Sequence, residues 1–490
     1  MSPSSWRTLP FLLLVSVTSV FASSKSFENT AIVRTAELGG SVVHVTTTYA
    51  IKALDDGQKT YTVALGRAER EKTSFIEAKV KGSKEPLKIK ERALDTSKDY
   101  HLVDITLPKA LSTDKTLNLV LETVQTHATW PSPATAAQNE DQSLKYQTNL
   151  LILSPYKTSV QRTKVKTLSP RIISYTTPEN AKDLTDKDVV TKSGATVTYG
   201  PYDNLPSSTN KEFIEKYQQS ILIHYHHEQP VLEVLNLQRS VEVSHWGANI
   251  NTEDKIDLYN AGPKLKGHFS RLQHQSQKYF NKLSAHVLPA LTLHLPAGLS
   301  NPYYYDLIGN VSTSNIRIAP SVPKNKQGTQ FSVLEIRPRY PLLGGWNYTF
   351  TLGWDLPLGD VASYDKSAGK YTVEVPIMTP LLGAVVNNAE LSVVLPEGAS
   401  NIEILEPFPA LAKRTDIHKT YLDTTGRPRL TFIYKNLTVK HAESIYVSYK
   451  LSWVAHLKKP VAVSTAILGL FTLGMFVRRI NLSLTPTRKV

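Results

Sequence analysis

Few side chains in this chain are typed and spaced for chemistry. His224 and His226 stand two apart, so on a strand both rings leave one face, which is how a metal site can begin. His227 and Glu228 follow, but there is no HExxH and no nameable third ligand, which favours ordinary strand histidines. Asp186-Lys187-Asp188 has the DxD spacing that holds a metal and a nucleotide-sugar diphosphate in many glycosyltransferases. Its neighbours Lys182, Asp183, Thr185 and Lys192 instead mark a solvated loop. Tyr303, Tyr304 and Tyr305 could offer rings to a sugar or an extended peptide, although such a cluster more often fills a strand. Cysteine is absent, which excludes a thiol nucleophile, a CxxC redox pair and any thiolate metal site. GxSxG, P-loop and GxGxxG signatures are missing too. Carboxylates that could hydrolyse a glycoside are plentiful, but their separation in space is not written in the sequence. The pattern assigns no catalytic, cofactor-binding or metal-ligating residue, and no cofactor.

Covalent modification has a clearer signal. Asn310-Val311-Ser312, Asn347-Tyr348-Thr349, Asn436-Leu437-Thr438 and Asn481-Leu482-Ser483 are N-x-S/T sequons. Which of them can carry glycan depends on which side of a membrane each lies.

The elements that must position these residues are mainly strands. Val43, Val45, Thr47, Tyr49 and Ile51 share one parity, as do Tyr61, Val63 and Leu65, then Val103, Ile105 and Leu107. Tyr348, Phe350 and Leu352, then Leu391, Val393 and Leu395, then Ile445, Val447 and Tyr449 repeat the style. Half-buried antiparallel strands alternate in this way, so the fold class is mainly β, with two tandem β-sandwich-like domains. Tyr146 to Pro155 and Tyr371 to Pro380 both run from tyrosine to proline through a strand-like stretch, which hints at duplication. The stretches from Pro131 to Ser143 and from Asn180 to Lys192 read as long loops of the first domain. Phe269 to Leu283 reads as a surface helix or an exposed connection.

Two apolar runs frame this β-rich mass. The first, about Leu9 to Val17 after Arg7, is a signal-peptide core with cleavage expected after Ala22. The second, Val461 to Val477, lies between Lys458-Lys459 and Arg478-Arg479 and reads as one transmembrane helix. The expected division is signal 1–22, luminal β domains 23–230 and 231–459, helix 460–477 and a short cytosolic tail 478–490. That topology makes Asn310, Asn347 and Asn436 luminal and Asn481 cytosolic. The net charge of +14 includes the basic tail and is otherwise spread along the chain. No dense basic block with interleaved aromatics points to nucleic acid. Within the span, Ala462 with Ala466 and Thr465 with Gly469 give small-xxx-small spacing, a weak sign of a helical partner in the membrane.

Further segments carry a family likeness. Val243-Ser244-His245-Trp246-Gly247, Asp257-Leu258 and Leu265-Lys266-Gly267-His268-Phe269-Ser270-Arg271 come first. Tyr304-Tyr305-Asp306, Ile308 to Ser314, Arg337-Pro338-Arg339-Tyr340-Pro341-Leu342 and Gly344-Gly345-Trp346 follow in order, then Leu395 to Ala399, Thr420 to Thr424 and Gly426-Arg427-Pro428. This ordered set resembles the ribophorin I family, a subunit of the endoplasmic-reticulum oligosaccharyltransferase, and the short stretch after the span resembles its short-tailed fungal form.

The resemblance implies a single-pass type I protein of the endoplasmic-reticulum membrane, with its bulk in the lumen. It implies a non-catalytic role in transferring a preassembled glycan from dolichyl diphosphate to asparagine of nascent chains. Catalysis is expected in a multi-spanning partner subunit. Other subunits and nascent acceptor polypeptides are the implied partners, with the translocon a further candidate that the short tail puts in doubt. His245, Trp246, Arg337, Arg339, Trp346, Arg427 and Pro428 are assigned to fold or assembly, with Trp246 and Trp346 expected as core anchors. The rival classes are a membrane-anchored hydrolase of the secretory pathway and a single-pass receptor or adhesion protein. The tail ends Thr487-Arg488-Lys489-Val490, which is no dilysine signal, so retention is expected to come from assembly.

Overall fold

The computed structural model describes residues 26–480 except 94–98, 187, 209, 281–282, 322–329, 382 and 421–422. The expected signal 1–22, residues 481–490 of the tail, Asn481 and Lys187 lie outside the described residues.

The alternating residues do face inward. Val43, Val45, Tyr49, Ile51, Tyr61, Val63, Phe350, Leu352, Val393 and Val447 are all buried. Alternation of this kind buries one face of each strand, and the strands then pair edge to edge into sheets that close on one another. In the first half the large sheet runs Val190–Ser193, Thr196–Leu205, Thr158–Thr167, Phe27–Leu38, Val42–Ala53, Thr116–Thr126, Thr73–Val80. A three-stranded sheet (Gln58–Gly66, Tyr100–Leu111, Ile89–Glu91) and a four-stranded sheet (Ile172–Tyr175, Ser220–His226, Ser143–Asn149, Thr129–Pro131) complete it.

The second half repeats this plan strand for strand. Its large sheet runs Ala412–His418, Arg427–Leu437, Val385–Val394, Leu232–Ser244, Asn249–Asn260, Asn347–Pro357, Ser300–Asp306, with Gly309–Asn310 added at the edge. Its small sheets are Leu291–Pro296, Phe331–Ile336, Asn315–Arg317 and Ser400–Leu405, Ser444–Lys450, Lys370–Pro376, Ala362–Asp365. Even the exceptional pairing recurs: Phe27–Leu38 lies parallel to Thr158–Thr167, and Leu232–Ser244 lies parallel to Val385–Val394. The segments that open at Tyr146 and Tyr371 fall on corresponding strands of the two halves.

A buried arginine is repeated as well. Arg34 sits opposite Thr47 on the neighbouring strand and donates to the carbonyl of Asn149, the last residue of its strand. Arg239 sits opposite Asp254 and donates to the carbonyl of Pro376, again a last strand residue, at 2.8 Å. Arg239 also makes a bidentate pair with Asp254, at 2.6 Å for both bonds, and neither side chain meets solvent appreciably. Each guanidinium thus ties the large sheet to a small one across the core, and in the second half Asp254 supplies the counter-charge that a buried guanidinium needs.

One connection differs from expectation, and another takes one of its two expected forms. The stretch from Pro131 to Ser143 is more than a loop of the first half: Thr135–Ala136 pairs in parallel with Lys264–Leu265 of the second. Gln138 exchanges hydrogen bonds with the backbone of Ser270 at 2.9 and 3.0 Å. The uncertain stretch after Phe269 is an exposed helix, Arg271–Tyr279, whose N-cap Ser270 accepts from the Gln273 amide. At the end of the chain one helix, Trp453–Arg479, is long and apolar enough to cross a membrane.

Candidate functional site at the root of the terminal helix

The terminal helix starts at Trp453, not at Pro460, where the apolar run predicts it. Ser452 caps it by accepting from the Ala455 amide at 3.1 Å, and Pro460 falls inside the helix. A proline there has no N–H to give the carbonyl four residues back, so the oxygen of His456 loses its helical partner. The indole Nε1–H of Trp246 supplies the missing donor, at 3.1 Å. The two rings also stack, with centroids 4.8 Å apart and planes 8° from parallel.

Trp246 is therefore not the core anchor expected from its residue type. It is 55% exposed in the turn between Leu232–Ser244 and Asn249–Asn260, where the polypeptide has left the sheet and its side chain can reach the helix. Trp346, in contrast, packs half-buried against the second core, beside Phe269 and Tyr340.

Around this contact four of the family-like segments converge, those of Trp246, Glu397, Asp423 and Arg427. Val243, Ser244, His245, Trp246, Pro396, Glu397, Arg427, Leu451, Ala455, His456 and Lys459 line one cavity of about 110 Å³. His245 bonds the hydroxyl of Tyr449 through Nε2 at 2.7 Å and meets the Tyr371 ring edge-on. Burial, with His456 nearby, lowers the His245 pKa. Gly398, at φ 83°, lets the chain pass where a side chain would stand 2.5 Å from the Ala455 Cβ. Pro428 offers its carbonyl to the Leu395 amide at 2.9 Å, joining two of the segments.

Two buried carboxylates hold the site together. The Asp423 side chain is fully buried and accepts from Lys459 of the helix at 2.7 Å. It also meets Arg427 at 3.3 Å and accepts from the Thr420 amide and hydroxyl at 2.8 and 2.6 Å. Burial alone would raise the Asp423 pKa, but the bonds from Lys459 and Thr420 and the charge of Arg427 hold it far below the usual carboxylate range. Glu397 Oε1 accepts from the amides and hydroxyls of both Thr424 and Thr425, at 2.6 to 3.0 Å. Burial opposes ionisation here too, and these four donors nevertheless bring Glu397 down to about 2.

The remaining candidates are scattered. His224 Nε2 lies 3.0 Å from the Ser132 carbonyl and 3.1 Å from Ser143 Oγ, a structural role. Among the described residues no group of three or more His, Cys, Asp or Glu is arranged to hold a metal. Tyr304 is core, its hydroxyl 2.6 Å from that of Tyr348, while Tyr303 donates to Glu253 at 2.7 Å. Arg337 is exposed and pairs with Glu335. Arg339 instead grips buried Asp306 at 2.5 Å and the carbonyls of Gly309 and Asn310 at 3.0 and 3.1 Å, which fixes the turn before the first sequon. Asn310, Asn347 and Asn436 are exposed.

Two outcomes follow from the joint. Trp246→Phe keeps a ring over His456 but removes the N–H, so it should cost about 1 kcal/mol, roughly fivefold faster amide exchange at residues 455–459. Pro460→Ala restores a backbone N–H to the His456 carbonyl, and in that background the Trp246→Phe penalty should shrink; an equal penalty in both backgrounds would refute the assignment. The second outcome concerns acid. Because the folded Glu397 and Asp423 pKa values are depressed, their stabilisation is complete above the ordinary carboxylate range and is lost as pH falls through the folded values. Proteolysis at residues 452–459 in the full chain should rise only modestly from about pH 7 to 5, as His245 with its lowered pKa takes up a proton, and accelerate between about pH 4 and 2. Acceleration already complete by pH 5 would contradict the network.

Known proteins resemble this chain in sequence. Residues 27–478 match the family model described as Ribophorin I. Dolichyl-diphosphooligosaccharide–protein glycosyltransferase subunit 1 of Caenorhabditis elegans is 30% identical over 456 residues, covering 92% of this chain and 72% of that protein. Subunit 1B of Arabidopsis thaliana is 30% identical over 85% of this chain and 81% of its own length. Subunit 1B of Oryza sativa subsp. japonica is 31% identical over 81% and 78%. The match runs through both β halves, the joint and nearly all of the terminal helix, and on it the chain belongs to the ribophorin I family.

Proposed function

We propose that this chain is a subunit of an oligosaccharyltransferase complex of the endoplasmic-reticulum membrane, serving protein N-glycosylation. The observation that carries the reading is the family match from residue 27 to 478, with relatives named subunit 1 of that glycosyltransferase. Within the complex the chain acts without catalysing transfer: its β body lies in the lumen, divided near Pro230, and one helix fixes it in the membrane. Supporting this, the polar side chains that converge at the helix root are engaged in holding that root. Asp423, Glu397, Arg427 and Lys459 bond one another or nearby threonines. The body then presents acceptor polypeptide near a multi-spanning catalytic partner.

A C-terminally tagged chain, solubilised in mild detergent, should bring down a multi-spanning subunit together with glycan transfer to an Asn-x-Thr peptide. Recovery of the chain alone, without transferase activity, would sink the proposal. We assign Asn310, Asn347 and Asn436 as glycan acceptors, since each side chain is exposed. Endoglycosidase digestion of the wild type and of the three Asn→Gln variants should show a mobility step for each site. A chain that never carries glycan would contradict the luminal placement of the body.

A further inference from the structure

The first two turns of the terminal helix are built inside out for a helix that stands above a membrane. Ala455, His456 and Lys459 turn toward the β body and line the cavity at the joint. Trp453, Val454, Leu457 and Val461 turn the other way and are 79%, 75%, 47% and 58% exposed. At 3.6 residues per turn these four fall within an arc of about 100°. They form a continuous apolar stripe, and the exposed ring of Trp246 lies beside its start, against His456.

Helix length locates this stripe. The helix of 27 residues is about 40 Å long, whereas a bilayer core is about 30 Å thick. With Arg478 and Arg479 at one boundary, the core ends about twenty residues earlier, near Lys458. Trp453 to Leu457 then lie in the head-group layer, where indole rings are favoured because one edge is polar and the body apolar.

We infer that the outward face of Trp453, Val454 and Leu457, with the tip of the turn at Trp246, is a lipid-contact surface. It rests the second β half on the head-group and upper acyl region of the bilayer. Lipid is the occupant because the stripe continues through Val461, past the small Ser464, into the apolar surface of the span at Leu468 and Phe471, which are exposed as well. The inference rests on reading this helix as a membrane span.

The chain contains no cysteine, so a single introduced one is unique within it. Val454→Cys, Leu457→Cys and, as a reference on the exposed helix 271–279, Leu272→Cys would each carry a nitroxide in the full-length chain reconstituted into phosphatidylcholine vesicles. At 454 and 457 the label should be relaxed more by oxygen than by a nickel chelate, and at 272 the order should reverse. Nickel access at 454 and 457 equal to that at 272 would overturn the inference in favour of a wet surface. Exclusion of both reagents would overturn it in favour of a protein partner. Alkaline carbonate extraction of the same vesicles separates the two readings. A released chain refutes the span itself, whereas a retained chain with water-exposed labels refutes only the lipid contact.

Discussion

One carbonyl oxygen sets the terms for the joint between body and helix. Pro460 deprives His456 of its intrahelical donor, and a bare carbonyl at a partly buried helix root would be costly. Trp246 answers it from a turn 210 residues earlier in the chain. That one bond requires the long hairpin of Leu232–Ser244 and Asn249–Asn260 to end at the helix root, and the neighbouring loops follow it there. Gly398 must be glycine to let Ala455 approach, and Thr424 and Thr425 must turn inward to satisfy Glu397. The segments that look family-like in sequence are scattered from Val243 to Pro428, and four of them, those of Trp246, Glu397, Asp423 and Arg427, meet at this joint.

The repeated topology explains why the joint lies at this corner. In each half the turn between the two long central strands comes close to the chain that leaves the last strand. In the first half that turn is Gly39-Gly40-Ser41, and a side chain at Gly40 would stand 3.0 Å from Nε2 of His227, just after the last strand. Ser41 also reaches the Gly383 carbonyl of the second half, at 3.4 Å. In the second half the turn is His245 to Ala248, and the departing segment is the terminal helix. The same corner therefore joins half to half and then half to helix. In the first case the turn is slimmed to two glycines so that a whole β unit can pack there. In the second it carries histidine and tryptophan, which grip a single helix.

Much of this architecture is legible in the order of the residues alone. Strand parity survives folding because burial on one face of a sheet is a local rule, and the residues that alternate in the sequence are largely the ones found buried. The repeat shows in the sequence only as the Tyr146 and Tyr371 segments, since packing constrains polarity and volume more than identity. Where expectation and structure part, the causes are equally physical. Trp246 looks like core because indole is mostly buried, but its turn lies beyond the sheet. Pro460 looks like a helix start because the apolar run begins just after it, yet Ser452 offers a capping signal well outside that run. Contacts such as Lys459 with Asp423 are not legible at all, because nothing in residue order says that loop and helix root are neighbours.

The chemistry of the joint decides how body and helix move. An apolar seam of the same area would tolerate sliding, because hydrophobic contact is non-directional. Here Asp423 is bonded at once to the helix through Lys459, to a strand through Arg427 and to its own loop through Thr420. Shifting the helix along the body would strand a buried carboxylate between partners, and removing one partner from such a group costs about 3–5 kcal/mol. The His456 carbonyl would lose its indole donor in the same displacement. The helix root and the second β half therefore behave as one rigid element.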